Sequence, residues 1–101
     1  MLEKASMKRN LKFTFRANVD TIVAYEFYES RRKNLGERFL DELENCYKSI
    51  VLNHETYTIV HKTYRQAIVK KFPFVVLYNV DEKDIIITAI FNTSKNPKKK
   101  F

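Results

Sequence analysis

The run FVVLYNVDEKDIIITAIF, residues 74–91, decides the fold. Its two halves, 74–80 and 84–91, are dense in Val, Ile, Leu, Tyr and Phe, the composition of central strands covered by other elements. The polar residues 81–83 between them read as a hairpin turn. Upstream, residues 64–72 alternate partly through Ala67 and Val69 and supply a further strand. Pro73 has no N–H to give to a ladder, so it marks a strand boundary or an edge. Residues 53–63 lose all regular period and read as a loop or short irregular turn, with Tyr57, Ile59 and Val60 tucked back onto the core.

Further toward the N-terminus the period changes from two to three and four. Leu35, Phe39, Leu40, Leu43, Cys46, Tyr47, Ile50 and Val51 form one broad apolar stripe, opposite Glu37, Arg38, Asp41, Glu42, Glu44 and Lys48. Asn34 and Glu37 have the spacing of a capping box. Gly36 falls in the first turn, where a close approach or a tight turn explains it. An earlier helix has Asn18 or Asp20 as its cap and Val19, Ile22, Val23 and Phe27, with part of the Tyr25/Tyr28 pair, as its core stripe. The polar stretch 30–34 ends that helix, and so short a link makes the two an antiparallel hairpin. Residues 10–16 alternate through Leu11, Phe13 and Phe15 as a half-buried strand. The order β-α-α-β-β-β predicts a two-layer α+β fold, a helical hairpin on a small, mostly antiparallel four-stranded sheet.

A chain of 101 residues suits one domain, placed at 10–97, with a ragged lead-in at 1–9 and a basic tail at 98–101 read as flexible charge. Met7 is a second possible start. No apolar run approaches the length of a spanning helix and the first residues lack the apolar core of a signal peptide, which leads to the expectation of a cytoplasmic protein without a membrane partner. The lone Cys46 excludes an internal disulfide and lies on the helical stripe, a packing position. The net charge is +7, of which residues 1–50 hold +2 and residues 51–101 hold +5. That surplus favours an anionic partner, either nucleic acid or an acidic protein.

His54 and His61 stand apart from any ligand cluster, so neither a metal nor another cofactor is expected. There is no glycine-rich phosphate loop and no consistent serine or cysteine nucleophile scheme. What remains is cationic. Arg65 opens a strand, Lys70 and Lys71 end it, and Lys62, Lys95 and Lys98–100 lie nearby in sequence. Such groups can track a phosphate backbone while Tyr64 or Tyr78 stacks a base. Metal-free RNA cleavage needs a base for the 2′-hydroxyl and cations for the transition state. Arg65 can supply charge, and Lys70, Lys71 or His61 are the candidate bases. A solvent-facing strand-edge Arg65 is expected to tolerate Arg65→Ala with little loss of fold.

Taken in order, AYEFYE (24–29), LGERFLDELE (35–44), YRQA (64–67), KFPFVVLY (71–78) and IFNTSKNP (90–97) resemble the RelE/ParE superfamily of type II toxin–antitoxin toxins, in its plasmid-stabilisation branch. The resemblance implies the same β-α-α-β-β-β fold and a small cognate antitoxin that neutralises the toxin and itself contacts operator DNA. RelE-like members are ribosome-dependent endoribonucleases that cut mRNA, and ParE-like members poison DNA gyrase. Ribosome-dependent cleavage is the leading expectation; gyrase poisoning, or an inactive antitoxin-binding homologue, is the alternative. By resemblance, Arg65, Lys70, Lys71 and Asn92 are the catalytic candidates; the cationic and aromatic pattern makes Lys62, Tyr64, Arg65, Lys95 and Lys98 the expected nucleic-acid contacts. Asn92 stands where many ribonuclease members carry histidine, and no tyrosine follows it.

Overall fold

A computed structural model of the protein describes residues 9–101. Apart from Arg9, the N-terminal lead-in and the second start at Met7 lie outside the described residues. The elements are β1 (Asn10–Phe13), α1 (Phe15–Arg31), α2 (Leu35–Asn53), β2 (Ile59–His61), β3 (Tyr64–Ile68), β4 (Phe74–Val80) and β5 (Asp84–Asn92), with 3-10 turns at His54–Thr56 and Pro97–Lys99. The strands form one sheet in the order β1-β5-β4-β3-β2. The expected α+β layering and helical hairpin are present, and the sheet has one strand more than the sequence pattern implied. Only Ile59–His61 of the stretch read as loop pairs with the sheet, in a strand too short for its period to register. β1 runs parallel to β5, and all other pairs are antiparallel.

The apolar run 74–91 does form the sheet centre. Val75, Val76, Leu77, Tyr78, Ile85, Ile87 and Ala89 are all buried. Alternation divides them between two cores. Val76, Tyr78, Ile85 and Ile87 face the helices, whereas Val75, Leu77, Ala89 and Phe91 cluster on the opposite face with Val60. A register shift at Leu77/Tyr78 leaves Thr88 as the extra residue, and its hydroxyl donates to the Leu77 carbonyl at 3.1 Å.

α1 begins earlier than expected. Thr14, not Asn18 or Asp20, is the cap, accepting from the Ala17 N–H at 3.1 Å. Its hydroxyl also donates to the Thr88 carbonyl at 2.9 Å, and Asp20 accepts from the Ile90 N–H at 2.9 Å. β1 covers β5 only through Ile87, so these two side chains satisfy strand backbone that would otherwise be unpaired. The helix is thereby held close to the sheet, and its inward face carries Ala17, Thr21, Ala24 and Tyr28 at heptad-like spacing. Most of the stripe expected in the core lies outside: Val19 is 39% exposed, Ile22 56%, Val23 61% and Phe27 50%, while Tyr28 packs against the core. Phe15, expected on the first strand, opens the helix and is 84% exposed. Small residues win the interior because bulky ones would push the helix away from the strand edge that its own polar groups satisfy.

α2 keeps the predicted stripe, with Phe39, Leu43, Cys46 and Ile50 buried. Phe39 meets Tyr28, Phe72 and Phe74 at centroid distances of 5.1–5.4 Å, an aromatic cluster joining both helices to the sheet. The capping box is not formed. Asn34 is left-handed (φ 69°) and makes no side-chain cap, and the Glu29 carboxylate instead accepts from the Asn34 and Gly36 N–H groups at 2.9 and 3.0 Å. An anion from the end of α1 thus caps the start of α2. The close approach expected at Gly36 is real, since a Cβ there would sit 2.8 Å from both the Tyr25 ring and its carbonyl oxygen.

Two outcomes follow from this packing. Gly36→Ala should destabilise the fold by about 1–3 kcal/mol in urea denaturation, because the Tyr25 backbone cannot yield as its ring can. Burial pushes the Cys46 thiol up to about 11. Iodoacetamide at pH 8 should therefore label the native chain roughly a hundredfold more slowly than the urea-unfolded chain, since the native thiolate is that much scarcer.

Candidate functional site

The groups singled out from sequence fall into four places. Arg65 lies opposite Tyr78 in the β3–β4 register, on the face that carries the helices. Its guanidinium donates to the Tyr57 carbonyl at 2.6 Å and the Glu55 carbonyl at 3.3 Å. Tyr78, fully buried, donates its hydroxyl to the His54 carbonyl at 2.7 Å, and burial raises its pKa. Together these two side chains hold the backbone of the turn after α2. Arg65 is half-buried and engaged, in contrast to the solvent-facing arginine expected from the sequence.

Lys70 and Lys71 follow β3 and line a cleft of about 460 Å³ with Glu42, Asn45, Ser49 and Tyr57. Lys71 has a left-handed backbone (φ 70°), and its Nζ lies 3.8 Å from the Glu42 carboxylate. Asn92 ends β5 opposite Phe74. Its Oδ1 accepts from the Ser94 N–H at 2.9 Å and the Ser94 hydroxyl at 2.6 Å, so the amide shapes the turn that leaves the sheet. Beside it runs a groove of about 540 Å³ lined by Arg16, Val23, Phe27, Phe74, Lys95 and Lys99 among others.

Lys62 and Tyr64 occupy the β2–β3 hairpin. Lys62 takes a left-handed conformation (φ 51°) that turns the chain, and Tyr64 pairs with His61 across the hairpin. The tail read as flexible charge is packed here. Phe101 stacks on His61 at 4.5 Å, Lys100 donates to the Gln66 Oε1 at 2.6 Å, and Arg16 donates to the carbonyls of Lys99 and Lys100 at 2.9 and 3.1 Å. Asn96 caps the turn that contains Lys98, accepting from its N–H at 3.0 Å.

These four places do not merge into one constellation. Arg65 and Asn92 lie near opposite ends of the sheet, two strands apart, or about 16 Å by strand geometry. Lys70 and Lys71 share the Asn92 end but open toward α2. Tyr64 belongs to the opposite sheet face from Arg65, its neighbour in sequence. Arg16, Asp20, Gln66 and Phe101 make contacts 34 to 84 residues away in sequence, which leave no local signal. Among the described residues, no group of three or more His, Cys, Asp or Glu is placed to hold a metal ion, and no helix is long and apolar enough to cross a membrane.

The comparisons with known proteins agree with this architecture. The family described as "ParE toxin of type II toxin-antitoxin system, parDE" matches residues 11–97. Among solved structures, the chain is similar to one from the chromosomal ParDE toxin–antitoxin system of P. aeruginosa, with a TM-score of 0.63 and 19% identity over 86% of this chain and 98% of that one. It is also similar to a chain of the E. coli DinJ–YafQ toxin–antitoxin complex, with a TM-score of 0.59 and 14% identity over 86% and 94% of the two chains. A mutant of E. coli YafQ gives a TM-score of 0.58 and 15% identity over 85% and 94%. No curated protein sequence matches. With the family match spanning nearly the whole domain and the sheet order and helical hairpin in place, the chain belongs to the ParE toxins of type II toxin–antitoxin systems, within the RelE/ParE superfamily.

Proposed function

We propose that this chain is a toxin that acts in the cytoplasm by binding DNA gyrase, and that a small cognate antitoxin silences it. The observation that carries the mode of action is the dispersal of the candidate cleavage groups. Arg65 spends its donors on backbone carbonyls, and Asn92 spends its amide on a turn about 16 Å away. Acid–base cleavage needs its groups around one phosphate, whereas poisoning a partner enzyme needs only a complementary surface. Ribosome-dependent mRNA cleavage is the second reading, favoured by the basic surplus of residues 51–101. It requires the ribosome to supply the alignment that the free chain lacks.

The antitoxin reading is supported by the outward stripe of α1. Phe15, Val19, Ile22, Val23 and Phe27 form an exposed apolar strip along more than three turns, the kind of surface that marks a protein–protein contact. With a chain charge of +7, its complement is an acidic segment with an apolar face, such as an amphipathic helix. Any contact with operator DNA is made through the antitoxin.

Two assays together decide the target. With purified gyrase the chain should block supercoiling and trap cleaved DNA, while a 5′-end map of cellular RNA after induction should stay unchanged. New ends inside translated codons, lost when translation is blocked, would overturn gyrase in favour of mRNA cleavage.

The partner surface has its own check. Ile22→Glu and Val23→Glu should leave the melting temperature nearly unchanged, yet weaken capture of the small protein encoded beside the gene by about tenfold or more. Arg65→Ala should cost about 1–3 kcal/mol through its lost charge-assisted bonds, lowering the melting temperature by roughly 5–15 °C. Toxicity of that variant should recover at temperatures where it remains folded.

A further inference from the structure

The hairpin between β2 and β3 presents His61 and Tyr64 side by side on the sheet face away from the helices, as a directly opposed antiparallel pair. Against them lies Phe101, with its ring 4.5 Å from His61 at an interplanar angle of 25°, and 5.4 Å from Tyr64 at 47°. That is a parallel stack on one ring and a tilted contact with the other. Phe101 remains 47% exposed, so it rests on the surface rather than filling a core. Its neighbours are held by polar contacts: Lys100 by Gln66, and the Lys99 and Lys100 carbonyls by Arg16. Beneath this segment the sheet face carries the second core of Val75, Leu77, Ala89 and Phe91.

We propose that His61 and Tyr64 form a stacking site for an unpaired nucleobase, and that Phe101 is its intramolecular occupant. A nucleobase offers the same flat π-face as a phenyl ring, and stacking on aromatic side chains tolerates any base. The charge around the site has the sign that a strand backbone requires. Lys62 turns the hairpin at the edge of the site, and Lys98, Lys99 and Lys100 immediately precede the occupant. When Phe101 lifts off, those three lysines remain tethered beside the vacated rings, free to neutralise phosphates flanking the stacked base. A segment held by a half-exposed ring and a few surface hydrogen bonds is among the parts of a fold that open first. The site therefore takes single-stranded nucleic acid in competition with the Phe101 ring. This holds whichever target the toxin engages, since gyrase and the ribosome both work on nucleic acid.

Fluorescence anisotropy with a labelled ten-nucleotide oligouridylate, against a duplex DNA of equal length, tests it on the full chain at fixed salt. Phe101→Ala should tighten oligouridylate binding by about threefold or more, because the competitor is gone. Adding Tyr64→Ala or His61→Ala to that variant should lose about fivefold or more and cancel the gain. Phe101→Tyr, which keeps the occupant, should bind as the native chain does. Circular dichroism and thermal melts establish that each variant is folded under the assay conditions. The proposal is overturned if folded Phe101→Ala binds no more tightly than the native chain, or if the double variants keep the gain. It is equally overturned if duplex binds as tightly as single strand and neither ring matters, the signature of charge alone.

Discussion

The backbone of β5 beyond Ile87 is the constraint that the rest of the architecture answers. β1 is only four residues long and leaves the next stretch of this strand without a ladder partner on that side, while β4 pairs with it on the other. Buried backbone groups must be paired, and here the helix that follows β1 does the pairing, through the Thr14 hydroxyl at Thr88 and the Asp20 carboxylate at Ile90. Those two contacts fix where α1 starts and how near it lies. Nearness selects Ala17 and Ala24 for the interior and turns Phe15, Ile22, Val23 and Phe27 outward. A local demand of strand geometry thus produces the exposed apolar stripe of α1.

The second helix is placed by different means. Glu29 reaches across the short link to cap α2, Gly36 lets the helices meet at Tyr25, and Phe39 joins Tyr28, Phe72 and Phe74 in one aromatic cluster. The clasp at the link and the rings in the middle make the hairpin a rigid cover for one sheet face. Among the described residues no α-helix covers the other face, and part of its apolar cluster lies near the C-terminal segment. Conventional interior thus fills one side of the sheet, while the other is closed by a strap of surface contacts. The proposed partner and base-stacking surfaces are the outward stripe of α1 and that strapped face.

Much of this was legible from residues. The apolar run 74–91 announced the central hairpin, and the stripe from Leu35 to Val51 announced α2, because both elements bury wide faces that sequence must fill with apolar residues. The order of the resembling segments pointed to the right superfamily. The site was less legible. The charge of Arg65 is visible in sequence, but its role in holding residues 55 and 57 depends on a turn that carries no period. Asn92 occupies the position of a catalytic residue by resemblance, and its bonds are those of a turn-forming amide. Three lysines in succession carry no pattern that reports the docking of the C-terminal segment.

By itself, then, the sequence determined the layering, the helical hairpin, the central strands and the family, since each is written in the spacing or order of residues near one another. Tertiary structure alone decided which side of α1 is buried, which groups cap each helix, and which charged residues share a place. The physical reason is common to all three. Apolar periodicity records that a face can be buried, but which of two apolar faces is buried depends on the distance to the opposing strand. That distance is set by hydrogen bonds such as Asp20 to Ile90, between residues 70 positions apart.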